Sequence, residues 1–466
     1  MKLIDTIVIG AGISGLSAAH GIAKRSRTCT VLDPGPEAGG VIASRRRDGF
    51  LYEMGPNSTL DTTPLINALL KDLGIADERA DANAVAAIRY IVRGGKLVAL
   101  PGGPGAFFTT SAFTLKAKLR LFGEPFIART PAGVDESIAA FVRRRLGTEF
   151  LDYAIDPFVA GIYAGDPERI SVGAAFPKLL ALEQAHGSLI KGQIVGARAR
   201  KKNKEVAKNV AGSFSFRGGM QTLTDALAKS LPPIEYGTSV QRVARDGDGT
   251  FTVEGLRDGG PVALRARSVV LSAPAYAAAA MIEGMAPDAA AALAGIEYAP
   301  IAIVASAYRR SDIAHSLAGF GFLVPKRERR SILGCLFSSS MFDGRAPEGS
   351  VLLTTFAGGR RNPEVAAASD DGIAALVRTE LAEFLGARGA PLWQEVVRWP
   401  RAIPQYDIGH LSRVHRVDAA EAALPGLYFC ANYRDGVAVG DRIKCGQAVA
   451  ERVDAFIAAS AGRVAA

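Results

Sequence analysis

Apolar and polar positions along the first forty residues predict a strand, a helix and a second strand. The apolar run Ile4–Ile9 reads as a buried strand, and small residues from Gly10 to about Lys24 suit a helix. A second short strand, "CTVLD", spans Cys29–Asp33. Between the first strand and the helix, Gly10, Gly12 and Gly15 have the spacing G-x-G-x-x-G. This predicts a tight turn whose helix N-terminus cradles a pyrophosphate. Asp33 closes the second strand, where a carboxylate reaches a ribose hydroxyl. Strand, glycines, helix, strand and acid together predict a dinucleotide site.

Further along, Gly39-Gly40 again lets backbone approach a ligand closely, and Arg45 to Arg47 add nearby positive charge or form a solvated run. A second nucleotide-binding half does not follow. Instead, matching patterns return late: a loop and helix at 213–227, a strand and hairpin at 233–255, and a buried strand at 268–274. The Ala-rich continuation to Ile282 reads as a soluble helix, since Pro274 and flanking charges interrupt it. The stretch 426–453 gives a strand, a glycine-rich loop and a closing helix beginning near Asp441. Residues 100–207 read mainly as helix. Residues 298–400 alternate strands with a helix near 371–386, fitting a sheet that covers a ligand. The charged stretch 198–208 reads as a solvated face.

Composition narrows the function classes. With 466 residues the chain fits two or three domains, and its net charge of +9 suits an acidic small molecule or an anionic surface. No nucleic-acid reading module is recognised, so no nucleic-acid partner is expected. The four cysteines and five histidines show no ligand spacing. No metal and no disulfide framework are expected, and a reducing, cytoplasmic setting is. The nucleotide strand begins so early that no signal peptide is expected ahead of it.

Six ordered motifs carry a resemblance: "YEMGPNS" (52–58), "RGGKLVALP" (93–101), "GIYAGDPERIS" (161–171), "FRGGMQTL" (216–223), "IPQYDIGHL" (403–411) and "DGVAVGDRI" (435–443). With the glycine fingerprint, the chain resembles flavin-dependent oxidases of the amine oxidase and phytoene desaturase superfamily, and within it the protoporphyrinogen oxidases. The resemblance implies an α/β fold in which a discontinuous Rossmann-like FAD-binding domain (1–85, 210–280 and 405–466) holds noncovalent FAD. It also implies an inserted mixed-sheet substrate domain (86–100 and 281–404) and a mainly helical, membrane-contacting domain (101–209).

The implied activity is oxygen-dependent oxidation of protoporphyrinogen IX by repeated hydride transfer to FAD, with hydrogen peroxide as co-product. Coproporphyrinogen III oxidation, or an amine oxidase or desaturase reaction, is the alternative. In that picture Gly10, Gly12, Gly15 and Asp33 match the adenine-nucleotide positions. Gly39 and Gly40 line the pyrophosphate side, and Val240 meets the adenine. Gly440 and Asp441 bring a helix N-terminus beside the flavin, where it stabilises negative charge on the reduced ring.

For the substrate, Arg89 matches the arginine offered to a propionate, a role suited to its bidentate fork; Arg93 serves instead if the strand register differs. Gly161 lies beside the macrocycle. Asn57 contacts either the ligand or its own turn. Phe320, Phe322, Leu323 and Leu336 are either apolar walls or strand core. No side chain is assigned as catalytic, because the flavin supplies the electron sink. Two departures stand out: Cys430-Ala431 replaces the usual Ala-Gly, and Asp441-Arg442 the usual Asp-Cys. The aromatic and basic stretch 107–126 suggests contact with a membrane surface, a peripheral location, and the resemblance implies a homodimer.

Overall fold

The structure is a computed structural model, and it describes residues 3–131, 133–195 and 212–464. The charged run 198–208 lies outside these residues.

A six-stranded sheet organises the nucleotide region. The strand Leu3–Ile9 lies between Cys29–Leu32 and the distant Gly260–Leu271, parallel to both. Burial of Ile7, Val8, Val269 and Val270 on both faces explains why these strands read as continuous apolar runs. Thr238–Arg245 and Phe251–Arg257 extend the sheet on the Gly260–Leu271 side, and the late strand Leu427–Phe429 joins it by parallel pairing. Connections from Leu3–Ile9 leave in opposite directions, so the strand's carboxyl end is a topological switch point, where open α/β sheets bind ligands. The helix Ile13–Ala23 packs there against the long closing helix Val439–Val464.

A seven-stranded sheet forms the second body, in the order Trp393–Pro404, Tyr298–Arg309, Ser350–Gly358, Ile332–Leu336, Gly321–Leu323, Arg89–Arg93, Lys96–Ala99. All pairs are antiparallel except Gly321–Leu323 with Arg89–Arg93, which is parallel and sets Arg89 opposite Gly321. The helix Asp370–Leu385 covers its outer face with Ile373, Val377, Leu381 and Phe384. Among the described residues, 104–186 contain helices and turns and no strand. One of these helices, Asp156–Tyr163, follows a π-helical turn at Leu151–Ile155 and runs beside the sheet.

Hydrogen bonds and a buried ion pair join the bodies. Trp399 Nε1 donates to the Met54 carbonyl at 2.7 Å. Glu53 and Arg345, both almost fully buried, pair at 2.9 Å, with Ser44, Met220 and Ser215 satisfying their remaining groups. Such a pair is costly to break from one side, since it leaves a buried charge uncompensated.

Candidate functional site

The glycine turn leaves the switch point with three different local reasons for its three glycines. Gly10 has φ +110°, and a Cβ on it would stand 2.9 Å from the Ser272 carbonyl oxygen. Gly15 faces backward into the turn, where a Cβ would lie 1.9 Å from the Gly10 carbonyl oxygen. Gly12 differs: its φ of −75° suits any residue, and no protein atom lies within 4 Å of a Cβ built there. Packing therefore accounts for Gly10 and Gly15, whereas Gly12 borders open space.

Gly12 is also the N-cap of Ile13–Ala23, and no side chain caps that helix. Its first N–H groups lack intrahelical acceptors and point the positive end of the helix dipole outward. Gly39 and Gly40 close over the same point. Gly39 N–H donates to the Ala11 carbonyl at 2.8 Å, and Gly39 bridges Gly12. Uncapped amides, a side-chain-free N-cap and a facing pair of glycines fit the pyrophosphate of a dinucleotide such as FAD.

Asp33 sits at the end of the second strand, but its carboxylate also holds the turn. It accepts from Ala11 N–H and Gly35 N–H, both at 2.7 Å. Each oxygen keeps a second lone pair for a hydroxyl. Val240 is buried beside Ile9 and Leu32, at a register shift in the hairpin. Bulges of this kind re-aim backbone groups.

The opposite wall comes from two crossing segments. A Cβ at Gly55 would sit 1.9 Å from the Val41 carbonyl oxygen, so "YEMGPNS" runs directly over "GGVI". Asn57 is buried and donates through Nδ2 to the Gly55 carbonyl at 3.1 Å, which is the local-turn alternative. The closing helix begins at Val439, two residues before the expected Asp441. Gly440 rests against Ile66 and Thr62, and Asp441 lies in the first turn beside Gly436.

Arg442, at the Asp-Cys departure, is 2% exposed; its Nη1 donates to the Ala431 carbonyl at 2.6 Å, while Nε and Nη2 have no hydrogen-bond partner among the described residues. The loop before this helix is pinned by the "IPQYDIGH" motif. Tyr406 OH donates to the Asn432 carbonyl at 2.5 Å and accepts from Gly436 N–H at 3.0 Å. His410 stacks on Tyr406 and bonds through Nε2 to the Tyr433 carbonyl at 2.7 Å. Burial pushes the His410 imidazole down to about 4 and the Tyr406 phenol well up.

On the second sheet the arginine alternatives separate. Arg93 is committed to structure: it pairs with Glu149 at 2.9 Å, donates to the Ala112 carbonyl and lies over Tyr153. Arg89 is exposed, makes no ion pair among the described residues, and lies 5.2 Å over the Phe320 ring. Gly161 is also exposed, and a Cβ there would approach Leu323 Cδ2 at 3.2 Å. Register carries Leu323 two positions along from Gly321, the partner of Arg89, so Arg89, Phe320, Leu323 and Gly161 share one face region. Phe322 instead packs into the core against Phe337 and Phe384. Arg45 and Arg47 are taken up by surface pairs with Glu37 and Glu395. The Tyr406–His410 stack and the contacts of Cys430 and Arg442 were not anticipated from sequence; the motif "IPQYDIGH" and the two departures were the available signals.

Residues 13–454 match the family described as flavin containing amine oxidoreductase. The chain is 33% identical over 476 residues to protoporphyrinogen oxidase 2, chloroplastic/mitochondrial, of Arabidopsis thaliana, covering 97% of this chain and 94% of that protein. It is 29% identical over 460 residues to coproporphyrinogen III oxidase of Bacillus subtilis, covering 95% and 96%. A crystal structure of a candidate protoporphyrinogen oxidase from Exiguobacterium sp. 255-15 superposes with TM-score 0.79 at 25% identity, covering 98% of this chain and 99% of that one.

Proposed function

Since the chain belongs to the flavin containing amine oxidoreductases and is a flavin-dependent oxidoreductase acting on a small molecule, we propose that it oxidises protoporphyrinogen IX to protoporphyrin IX with FAD and molecular oxygen. The observation that carries this reading is the likeness to a protoporphyrinogen oxidase along 97% of the chain. Arg89, an exposed arginine with no ion pair among the described residues, adds to it.

When bound, FAD would supply a two-electron sink for an overall six-electron oxidation, with molecular oxygen as the final acceptor and hydrogen peroxide as co-product. The chain's own residues do the rest. The amides following Gly12 would hold the pyrophosphate, and Asp33 keeps the turn in shape and would offer lone pairs to a ribose. The N-terminus of Val439–Val464 would offer a positive dipole end to negative charge on the reduced ring, while Tyr406 holds the loop that leads into that helix. Arg89 gives a propionate two N–H groups, and the Phe320 and Leu323 side chains offer apolar surface to the pyrrole ring. Holding a methylene bridge in one orientation is the main catalytic demand of such chemistry.

We extend the proposal to location. Phe108, Leu115, Leu119, Phe122 and Phe126 are all exposed, with Phe126 at 89%, and they fall within 19 residues of chain. Leu115, Leu119 and Phe122 follow helical spacing, with exposed Lys116 and Arg120 beside them. No helix among the described residues is long and apolar enough to cross a membrane. The patch fits a monotopic contact with an anionic surface at the cytoplasmic membrane. A homodimer remains part of this proposal on family likeness alone.

Aerobic incubation with protoporphyrinogen IX and, separately, coproporphyrinogen III tests the activity by porphyrin fluorescence and peroxide release. Faster turnover of protoporphyrinogen is expected. Preference for coproporphyrinogen would move the assignment to that of the Bacillus subtilis relative.

A further inference from the structure

All four cysteines are free and buried, but they occupy two kinds of surroundings. Cys29 and Cys335 are solitary, and burial pushes each thiol up to about 12. Cys430 and Cys445 meet. Cys430 follows the strand Leu427–Phe429, and Cys445 lies in the second turn of the closing helix; their sulfurs are 3.4 Å apart. That is van der Waals contact, about 1.4 Å beyond disulfide bond length.

The groups around the pair are charged. Cys445 Sγ donates to Asp435 Oδ2 at 3.3 Å, and Asp435 is exposed, which connects the pair to solvent. Arg442, whose Nη1 donates to the carbonyl of Ala431 next to Cys430, adds positive charge to these surroundings. The hydrogen bond with Cys430 and then the Arg442 charge lower the Cys445 thiol, against burial and Asp435, which raise it. Cys430, which donates to the Ser14 carbonyl at 3.7 Å, is held well above its ordinary value by its contact with Cys445 and by burial. Two thiols in contact, one of them bonded to an exposed carboxylate that can take its proton, are placed to react as a dithiol.

We propose that Cys445 and Cys430 form a peroxide-responsive dithiol, in which Cys445 is oxidised and Cys430 resolves it to a disulfide. The Cys445 thiolate attacks one oxygen of hydrogen peroxide, breaking the O–O bond, giving a sulfenic acid and releasing hydroxide. The Cys430 sulfur then attacks the Cys445 sulfur and displaces the sulfenic oxygen, and its proton leaves in water. The two sulfurs together lose two electrons, and one peroxide becomes two waters once the released hydroxide takes up the proton that Cys445 gave to Asp435. The native source of peroxide rests on the oxidase activity proposed above.

The bond would close residues 431–444 into a loop, and that loop carries Tyr433, Gly436 and the first turn of the closing helix, including Gly440. Oxidation would therefore tie the end of the sheet to the helix that faces the flavin, and slow flavin release.

The test uses flavin-loaded full-length protein and added hydrogen peroxide, so it requires no porphyrinogen turnover. After peroxide treatment and denaturation, titratable thiols should fall from four to two, with a cross-linked Cys430–Cys445 peptide two hydrogens lighter and restored by dithiothreitol. Flavin release should slow by on the order of tenfold. In Cys430→Ser, Cys445 should be trapped as a sulfenic acid by dimedone; in Cys445→Ser, neither product should form. Four remaining thiols in the wild-type protein, or a disulfide that includes Cys29 or Cys335, would overturn the proposal. Unchanged flavin release with the disulfide formed would overturn the loop-closing role. Absence of porphyrin formation in a protein that still forms this disulfide would count against the substrate alone.

Discussion

Two glycines three positions apart should respond to alanine in opposite ways. At Gly15, the added methyl would lie 1.9 Å from the Gly10 carbonyl oxygen. Ordinary contact lies well over 1 Å farther out, and the obstacle is backbone, so the helix must move off the turn. Overpacking of this kind costs about 1–3 kcal/mol and more where nothing yields, so Gly15→Ala should lower the thermal midpoint of the apoprotein. At Gly12, φ −75° and ψ 172° admit alanine without strain, and no protein atom lies within 4 Å of its methyl. Loss of glycine at an N-cap costs less than about 1 kcal/mol.

The space that methyl enters is the space assigned to the pyrophosphate. A crowding penalty of about 1–3 kcal/mol, at 1.4 kcal/mol per decade, weakens flavin binding roughly 5- to 150-fold. Apoproteins of both variants would be compared by thermal unfolding and by titration with FAD, following quenching of flavin fluorescence. Gly12→Ala should keep wild-type apoprotein stability and lose affinity. Wild-type affinity in Gly12→Ala would refute the reasoning, because Gly12 would then border empty space that no ligand uses.

Burial keeps His410 neutral and pushes its pKa down to about 4, so the unfolded chain binds a proton near pH 6 that the folded protein does not. Stability is therefore retained above about 6.5 and lost as pH falls from there to about 4, by up to about 3 kcal/mol; denaturant midpoints across that window should fall in the wild type and stay flatter in His410→Gln. Arg89→Ala should raise KM for porphyrinogen about tenfold or more, the value of a charge-assisted hydrogen bond, with flavin content unchanged, while Arg93→Ala should instead lower thermal stability. Phe122→Ser with Phe126→Ser should reduce partition onto anionic vesicles by on the order of 100-fold, leaving the unfolding midpoint in place; equal sedimentation with vesicles would reject the patch as the contact.

Much of the nucleotide half was legible because its signals are local. The turn from Ile9 to Ile13, the strand Cys29–Leu32 and the closing helix each follow from period and glycine spacing within about a dozen residues. That Arg93 is tied to Glu149, 56 positions away, was not legible, because that contact is made only by packing. The Glu53–Arg345 pair, 292 positions apart, and the Cys430–Cys445 contact are likewise products of packing: no periodicity records which strand end a helix will meet. Asn57 was balanced between ligand and turn in sequence; its Nδ2 bond to the Gly55 carbonyl, two residues back, is a contact that no spacing rule specifies.

The central claim is that a flavin in this site withdraws electrons from a reduced tetrapyrrole. The direct measurement is anaerobic mixing of the flavin-loaded protein with protoporphyrinogen IX, monitored by the yellow absorbance of the oxidised ring. Bleaching, followed by recovery of the colour with porphyrin and peroxide on admitting air, is the predicted result. A flavin that dithionite reduces but protoporphyrinogen leaves yellow would contradict the account.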